Sequence, residues 1–89
     1  MDQTISESIE KRIHAFLLEK FPLAKKTAID RYTALLENGI LDSLGILDVV
    51  SFMEREFSFT VCDEELLPEN FQNVDTLCAF VQRKSNAVV

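Results

Sequence analysis

Eighty-nine residues, 47% hydrophobic and 27% charged, make one small globular domain, too short for two cores and too apolar for a disordered tail. The formal net charge is −6. Residues 34–82 hold ten acidic side chains and a single basic one, Arg55, which excludes nucleic acid and anionic membranes as partners of this block.

Residues 1–33 are close to neutral, with six basic and five acidic side chains. The acidic block is steered toward proteins with basic patches, or serves solubility alone. No apolar run approaches the length that crosses a bilayer, and the polar start "MDQTISESIEKR" lacks the basic-then-apolar order of a signal peptide. These features predict a cytoplasmic monomer with no membrane insertion. Cys62 and Cys78 lie in apolar surroundings without Cys-x-x-Cys spacing, and are expected to be reduced, partly buried thiols.

From the N-terminus, Ile5, Ile9, Ile13, Phe16, Leu17 and Phe21 recur at steps of four and three, the stripe of an amphipathic helix that Pro22 closes. Thr4 and Ser6 are available as caps. Between Pro22 and Leu41 no long period is visible, so a long ordered loop is expected, turned at Asn38-Gly39 and tied down by Leu35, Leu36 and Ile40. A second helix starts at Ser43 with Asp42 as N-cap. Leu44, Leu47, Val50, Met53 and Phe57 are its expected core stripe, with Ile46 and Val49 off it. "FSFTV" reads as a short β-like piece, and Pro68 limits "CDEELLPENF" to a helical turn on either side. The last helix is expected from about Val74 to Lys84, capped by Asn73 or Asp75, and the tail 85–89 is expected to be flexible. The fold class is all-α: a small bundle of three longer helices and a short one, in a single domain over residues 1–84.

Little of this inventory suits catalysis. The lone histidine, His14, has no serine or cysteine at a spacing that would make it a nucleophile's base, and reads as a partly exposed helix residue. Metal-ligand spacing and a glycine-rich phosphate loop are both lacking; the cluster Asp63, Glu64, Glu65 reads as solvated surface. The protein is therefore not expected to be an enzyme. Ser43 remains. At the first position of a helix it faces solvent beside unpaired backbone N–H groups and the positive end of the helix dipole, a setting that favours an esterified phosphate. Nothing nearby would deprotonate it, so it suits modification by another enzyme. The alternative is that Asp42 and Ser43 form an ordinary cap.

The layout over roughly residues 5–84 resembles an acyl carrier protein: a first helix, a long loop, Asp42-Ser43-Leu44 opening the second helix, Glu54-x-x-Phe57 at its end, then "Phe-x-Val-x-Asp-Glu" from Phe59. The resemblance implies a four-helix bundle of acyl-carrier type. It implies phosphopantetheine on Ser43, placed there from coenzyme A by a phosphopantetheinyl transferase, with acyl groups held on its thiol as thioesters. It implies that Asp42, Leu44, Asp48, Glu54 and Glu56 meet basic patches on acyl-loading ligases or synthases, in fast and weak contacts. The cargo chain would be lined by Leu47, Val50, Met53, Phe59, Val61 and Leu66. Gly45 and Arg55 depart from the acidic run of primary fatty-acid carriers, and point to a specialised fatty-acid, lipid or polyketide-type pathway. A glycine within a helix costs about 1 kcal/mol relative to alanine, so Gly45 suggests a close approach there, by the arm or by a partner. "Asp-Ser-small-Gly" also occurs in carriers of D-alanine, so an aminoacyl or peptidyl carrier is the alternative with the same arm. A cofactor-free acidic helical adaptor is the alternative of another class.

Overall fold

The computed structural model describes the backbone of residues 2–88 and the side chains of residues 8–85. Four α-helices follow one another: α1 (Asp2–Lys20), α2 (Pro22–Thr27), α3 (Ser43–Phe57) and α4 (Val74–Val88). Two 3-10 turns, Asp63–Glu65 and Pro68–Asn70, lie on the two sides of Leu66-Leu67, the second opening on the proline. The expected all-α bundle of three longer helices and a short one is what forms. Its core gathers Ile9, Ile13 and Leu17 of α1, Val49, Phe52 and Met53 of α3, and Val74, Leu77, Cys78, Phe80 and Val81 of α4. Since α1 already runs from Asp2, Thr4 and Ser6 lie within the helix and not at the cap that the sequence suggested; their side chains and that of Ile5 lie outside the described residues.

Several expectations need correction. The short helix lies in what the sequence presents as loop. Pro22 does end α1, but it also occupies the first turn of α2, where its missing N–H is no loss. Phe21 is the pivot: its N–H donates to the Leu17 carbonyl at 2.9 Å, closing α1, and its own carbonyl accepts from Ala24 N at 3.0 Å, opening α2. "FSFTV" forms no strand; Glu54 Oε2 accepts the Val61 N–H at 2.7 Å and binds this segment back to α3. The last helix runs on to Val88, since nothing in Ser85-Asn86-Ala87 breaks a helix. Asn73 caps it, accepting from Thr76 N at 2.8 Å.

The core face of α3 also differs from the expected stripe. Gly45, Val49, Phe52 and Met53 are buried, whereas Leu44 is 73% and Leu47 is 53% exposed. Each residue turns the helix by about 100°, so the three steps of three from Leu44 to Met53 fall about 180° out of phase. Those two residues lie on opposite faces. Val49, which the stripe left out, is fully buried.

The loop before α3 is ordered as expected. Leu35 is fully buried, donates its N–H to the Gln72 carbonyl at 2.7 Å, and accepts from Ile40 N and Leu41 N at 2.9 and 3.1 Å. Arg31 ties the same loop to two helices, with Nη1 donating to Glu10 Oε1 at 2.9 Å and Nε to Asp75 Oδ1 at 2.8 Å. Its guanidinium pKa is raised, first by the hydrogen bond to Asp75. His14 is half-buried, as read, with Nε2 3.0 Å from the Ile29 carbonyl.

The thiols part company. Cys78 is buried in α4 and desolvation pushes its pKa to about 11, but Cys62 is exposed, because it lies on the irregular stretch outside the bundle. Under native conditions at pH 8, iodoacetamide is expected to alkylate Cys62 alone, with Cys78 reacting only in denaturant. Peptide mapping of the alkylated chain checks this.

At the far end of α4, Lys84 Nζ donates to Glu65 Oε1 at 2.8 Å. This bond, with a second one from Cys62 N, lowers the Glu65 pKa, and the same pair raises that of Lys84. The stability Glu65 contributes is present above its unfolded pKa and is lost as pH falls through the lower folded value. The Lys84 contribution is present below its unfolded pKa and is lost as pH rises through the higher folded one. Lys84→Met is therefore expected to lower the melting temperature by a constant amount between about pH 5 and 10, and by less on either side. Parallel thermal melts across that range measure it.

Candidate functional site

The site is built from the first turn of α3. Asp42 lies in extended backbone just before the helix and its Oδ1 accepts the Gly45 N–H at 2.8 Å, the cap expected from the sequence. Ser43 follows as the first helical residue, and it is exposed. The cap therefore belongs to Asp42, which leaves the Ser43 hydroxyl free of that duty. The N–H groups of Ser43 and Leu44 have no helical acceptor, as at any helix start.

Gly45 is buried, and a Cβ built on it would meet Phe21 Cε1 at 3.0 Å, Asp42 Oδ1 at 3.3 Å and Leu41 Cδ2 at 3.3 Å. The close approach that the glycine signals is thus made from inside the protein, by the ring of Phe21 at the α1–α2 pivot. Phe21 in turn meets Phe16 edge-on, with centroids 6.2 Å apart, and Phe16 stacks on Phe52 at 4.2 Å. An aromatic seam joins α1 to α3 and ends under the turn that bears Ser43.

The five residues expected to meet partners do not stand alike. Asp42, Leu44 and Asp48 are exposed. Glu54 is half-buried and engaged with Val61 N, and Glu56 Oε2 pairs with Arg12 Nη1 at 3.2 Å. Of the six expected cargo-lining residues, Met53 is fully buried, Val50, Phe59 and Val61 pack partly buried on the core, and Leu47 and Leu66 are exposed. A groove of about 340 Å³, lined by Ala34, Leu36, Glu37, Pro68, Gln72 and Asn73, includes none of them.

The residues present fit an esterified phosphate at Ser43. The hydroxyl is exposed at the start of a 15-residue helix, and the cap carboxylate beside it is turned to Gly45 N. Such a phosphate would receive the free first-turn N–H groups, while the cap's negative charge is partly satisfied by its own bond. No helix among the described residues is long and apolar enough to cross a membrane.

No family model matches the chain. It is 32% identical over 75 residues to a probable acyl carrier protein, PigG, of Serratia sp. (strain ATCC 39006), a match that spans 84% of this chain and 86% of the relative. It is also 43% identical over 37 residues to aminoacyl carrier protein 1 of Bradyrhizobium diazoefficiens, covering 42% of this chain and 41% of that one. With a relative at this identity matched over nearly its whole length, and with the same all-α bundle, the chain belongs to the acyl carrier protein family.

Proposed function

We propose that this protein carries acyl groups as thioesters on a phosphopantetheine arm esterified to Ser43, and delivers them to partner enzymes in a specialised fatty-acid, lipid or polyketide-type pathway. The observation that carries the reading is an exposed serine hydroxyl at the first position of α3, in a chain of this family. The arm supplies a thiol whose thioester is an activated carbonyl; the chain supplies attachment, presentation and recognition. Carriage of this kind is delivery and not catalysis.

Recognition falls to the exposed part of the acidic surface. Asp42 and Leu44 flank Ser43 in sequence, Asp48 follows within α3, and these three exposed residues are the ones to meet a basic patch. Glu54 and Glu56 add charge, although Glu54 is engaged with Val61 N and Glu56, itself exposed, pairs at the surface with Arg12. The charge of the central block gives fast, salt-sensitive encounter with a transferase, ligase or synthase, and the small contact allows release after each step. Cargo shelter would require the half-buried Val50, Phe59 and Val61 to part from the core.

A second reading keeps the arm and changes the cargo to an aminoacyl group, favoured by the match to the aminoacyl carrier protein. Loading the modified protein with acyl and aminoacyl ligases separates the two. The cofactor-free adaptor keeps only the charge in its favour. The experiment that tests the carrier function is intact-mass measurement after incubation with coenzyme A, magnesium and a broad-specificity phosphopantetheinyl transferase. A gain of one phosphopantetheine is expected; a folded, unmodified protein that gains nothing sinks both carrier readings.

A further inference from the structure

We infer that Phe21 is a positioning residue for the Ser43 turn, acting through Gly45 and the Asp42 cap. The inference rests on Ser43 being the attachment site. Three observations converge on the ring. Its backbone is fixed on both sides, because the Phe21 N–H ends α1 and the Phe21 carbonyl begins α2. The ring is fixed laterally by its edge-on contact with Phe16, itself stacked on Phe52 of α3. Its Cε1 occupies the place next to Gly45 that any other residue at position 45 would contest.

The first turn of a helix holds few intrahelical bonds of its own, so its geometry depends on what backs it. Here Gly45 supplies the N–H for the cap, and the ring edge backs Gly45. Leu41 Cδ2 also lies against the Cβ position of Gly45, at 3.3 Å, and Leu41 is pinned through its N–H to Leu35. Deleting the ring leaves a void behind the residue that anchors the cap, and the turn that presents the Ser43 hydroxyl gains freedom. A transferase that must align this hydroxyl with a phosphate is sensitive to such freedom, since small misplacements cost large factors in rate. The glycine and the aromatic ring are thus one device, with size at position 21 matched to its absence at position 45.

The test compares Phe21→Ala, Phe21→Leu, Gly45→Ala and the pair Phe21→Leu/Gly45→Ala. Val81→Ala, which removes fully buried volume from α4 far along the sequence from this turn, serves as a control for general loosening. The readouts are kcat and KM for phosphopantetheine transfer, and amide exchange at Gly45 and Ile46 against Leu77 and Val81. Phe21→Ala is expected to lower kcat/KM about tenfold or more, with exchange faster at Gly45 and Ile46 and unchanged in α4. Phe21→Leu should restore most of the rate. Gly45→Ala should slow transfer alone and be relieved by Phe21→Leu, since the smaller side chain vacates the contested space.

Transfer by Phe21→Ala at the wild-type rate, or slowed no more than by Val81→Ala, overturns the inference. If Phe21→Ala does not fold, the sign of the coupling between positions 21 and 45 decides: simple additivity overturns it. A wild-type protein that gains no phosphopantetheine would instead refute Ser43 as the attachment site. The exchange rates at Gly45 and Ile46 would still show whether Phe21 holds the turn.

Discussion

Ser43→Ala is expected to abolish the gain of phosphopantetheine completely while leaving the fold and its melting temperature almost unchanged. The two halves of this result come from different features of one turn. The chemical half follows because in the proposed modification the attacking group is the Ser43 hydroxyl, and no neighbouring side chain can replace it: Asp42 holds the Gly45 N–H, and Leu44 has no nucleophile. The structural half follows because Ser43 is exposed and Asp42 supplies the cap. Alanine is also the better helix former, so the change in stability should stay within about 0.5 kcal/mol. Asp42→Ala differs in kind: loss of the cap costs about 1 kcal/mol, and because the hydroxyl remains the arm is still gained, but more slowly, since the turn is no longer held. Intact mass and thermal melts on the two variants separate attachment from capping. Equal modification of Ser43→Ala and wild type would place the arm elsewhere and end the reading of this site.

The parts of this protein that were legible in its sequence are those set by strictly local rules. Asp42 as a cap and Ser43 as the first helical residue depend on a few consecutive residues and stand as read, and of the two caps open to the last helix, Asn73 and Asp75, it is Asn73 that forms. The face of α3 was not legible because that helix is apolar nearly all round. Leu44, Ile46, Leu47, Val49, Val50, Phe52 and Met53 offer more than one stripe, and only the neighbours choose. Phe52 is selected because Phe16 is there to stack on it, a contact made across the α1–α3 interface. The short α2 was hidden because its C-cap, Ala28, takes a left-handed conformation with φ 56° where glycine would have signalled it. Gly45 did signal a close approach, but a sequence does not say from which side. Exposed Leu44 and Leu47 gain meaning from the same correction: freed from the core, they belong to the surface around Ser43.

Leu35→Ala is expected to be among the most damaging single changes to stability outside the helices, at about 2–5 kcal/mol. The side chain is fully buried, and its removal leaves a cavity where loop, α3 approach and α4 approach meet. More follows from its backbone. The Leu35 N–H is bonded to Gln72 just ahead of α4, and its carbonyl receives both Ile40 N and Leu41 N just ahead of α3. Anchoring the side chain therefore anchors the path of the chain into both helices. A domain of this size holds only about 5–15 kcal/mol against unfolding, so the loss removes a large fraction of it and lowers the melting temperature by roughly 10–30 °C. The effect should reach Ser43 as well. Leu41 Cδ2 lies 3.3 Å from where a Cβ on Gly45 would stand, so freeing the loop loosens the capped turn as well. At a temperature where Leu35→Ala is still folded, exchange at Gly45 and Ile46 should quicken more than at Leu77. Protection lost evenly along the chain would show instead that Leu35 supports the core as a whole and does not hold the turn in particular.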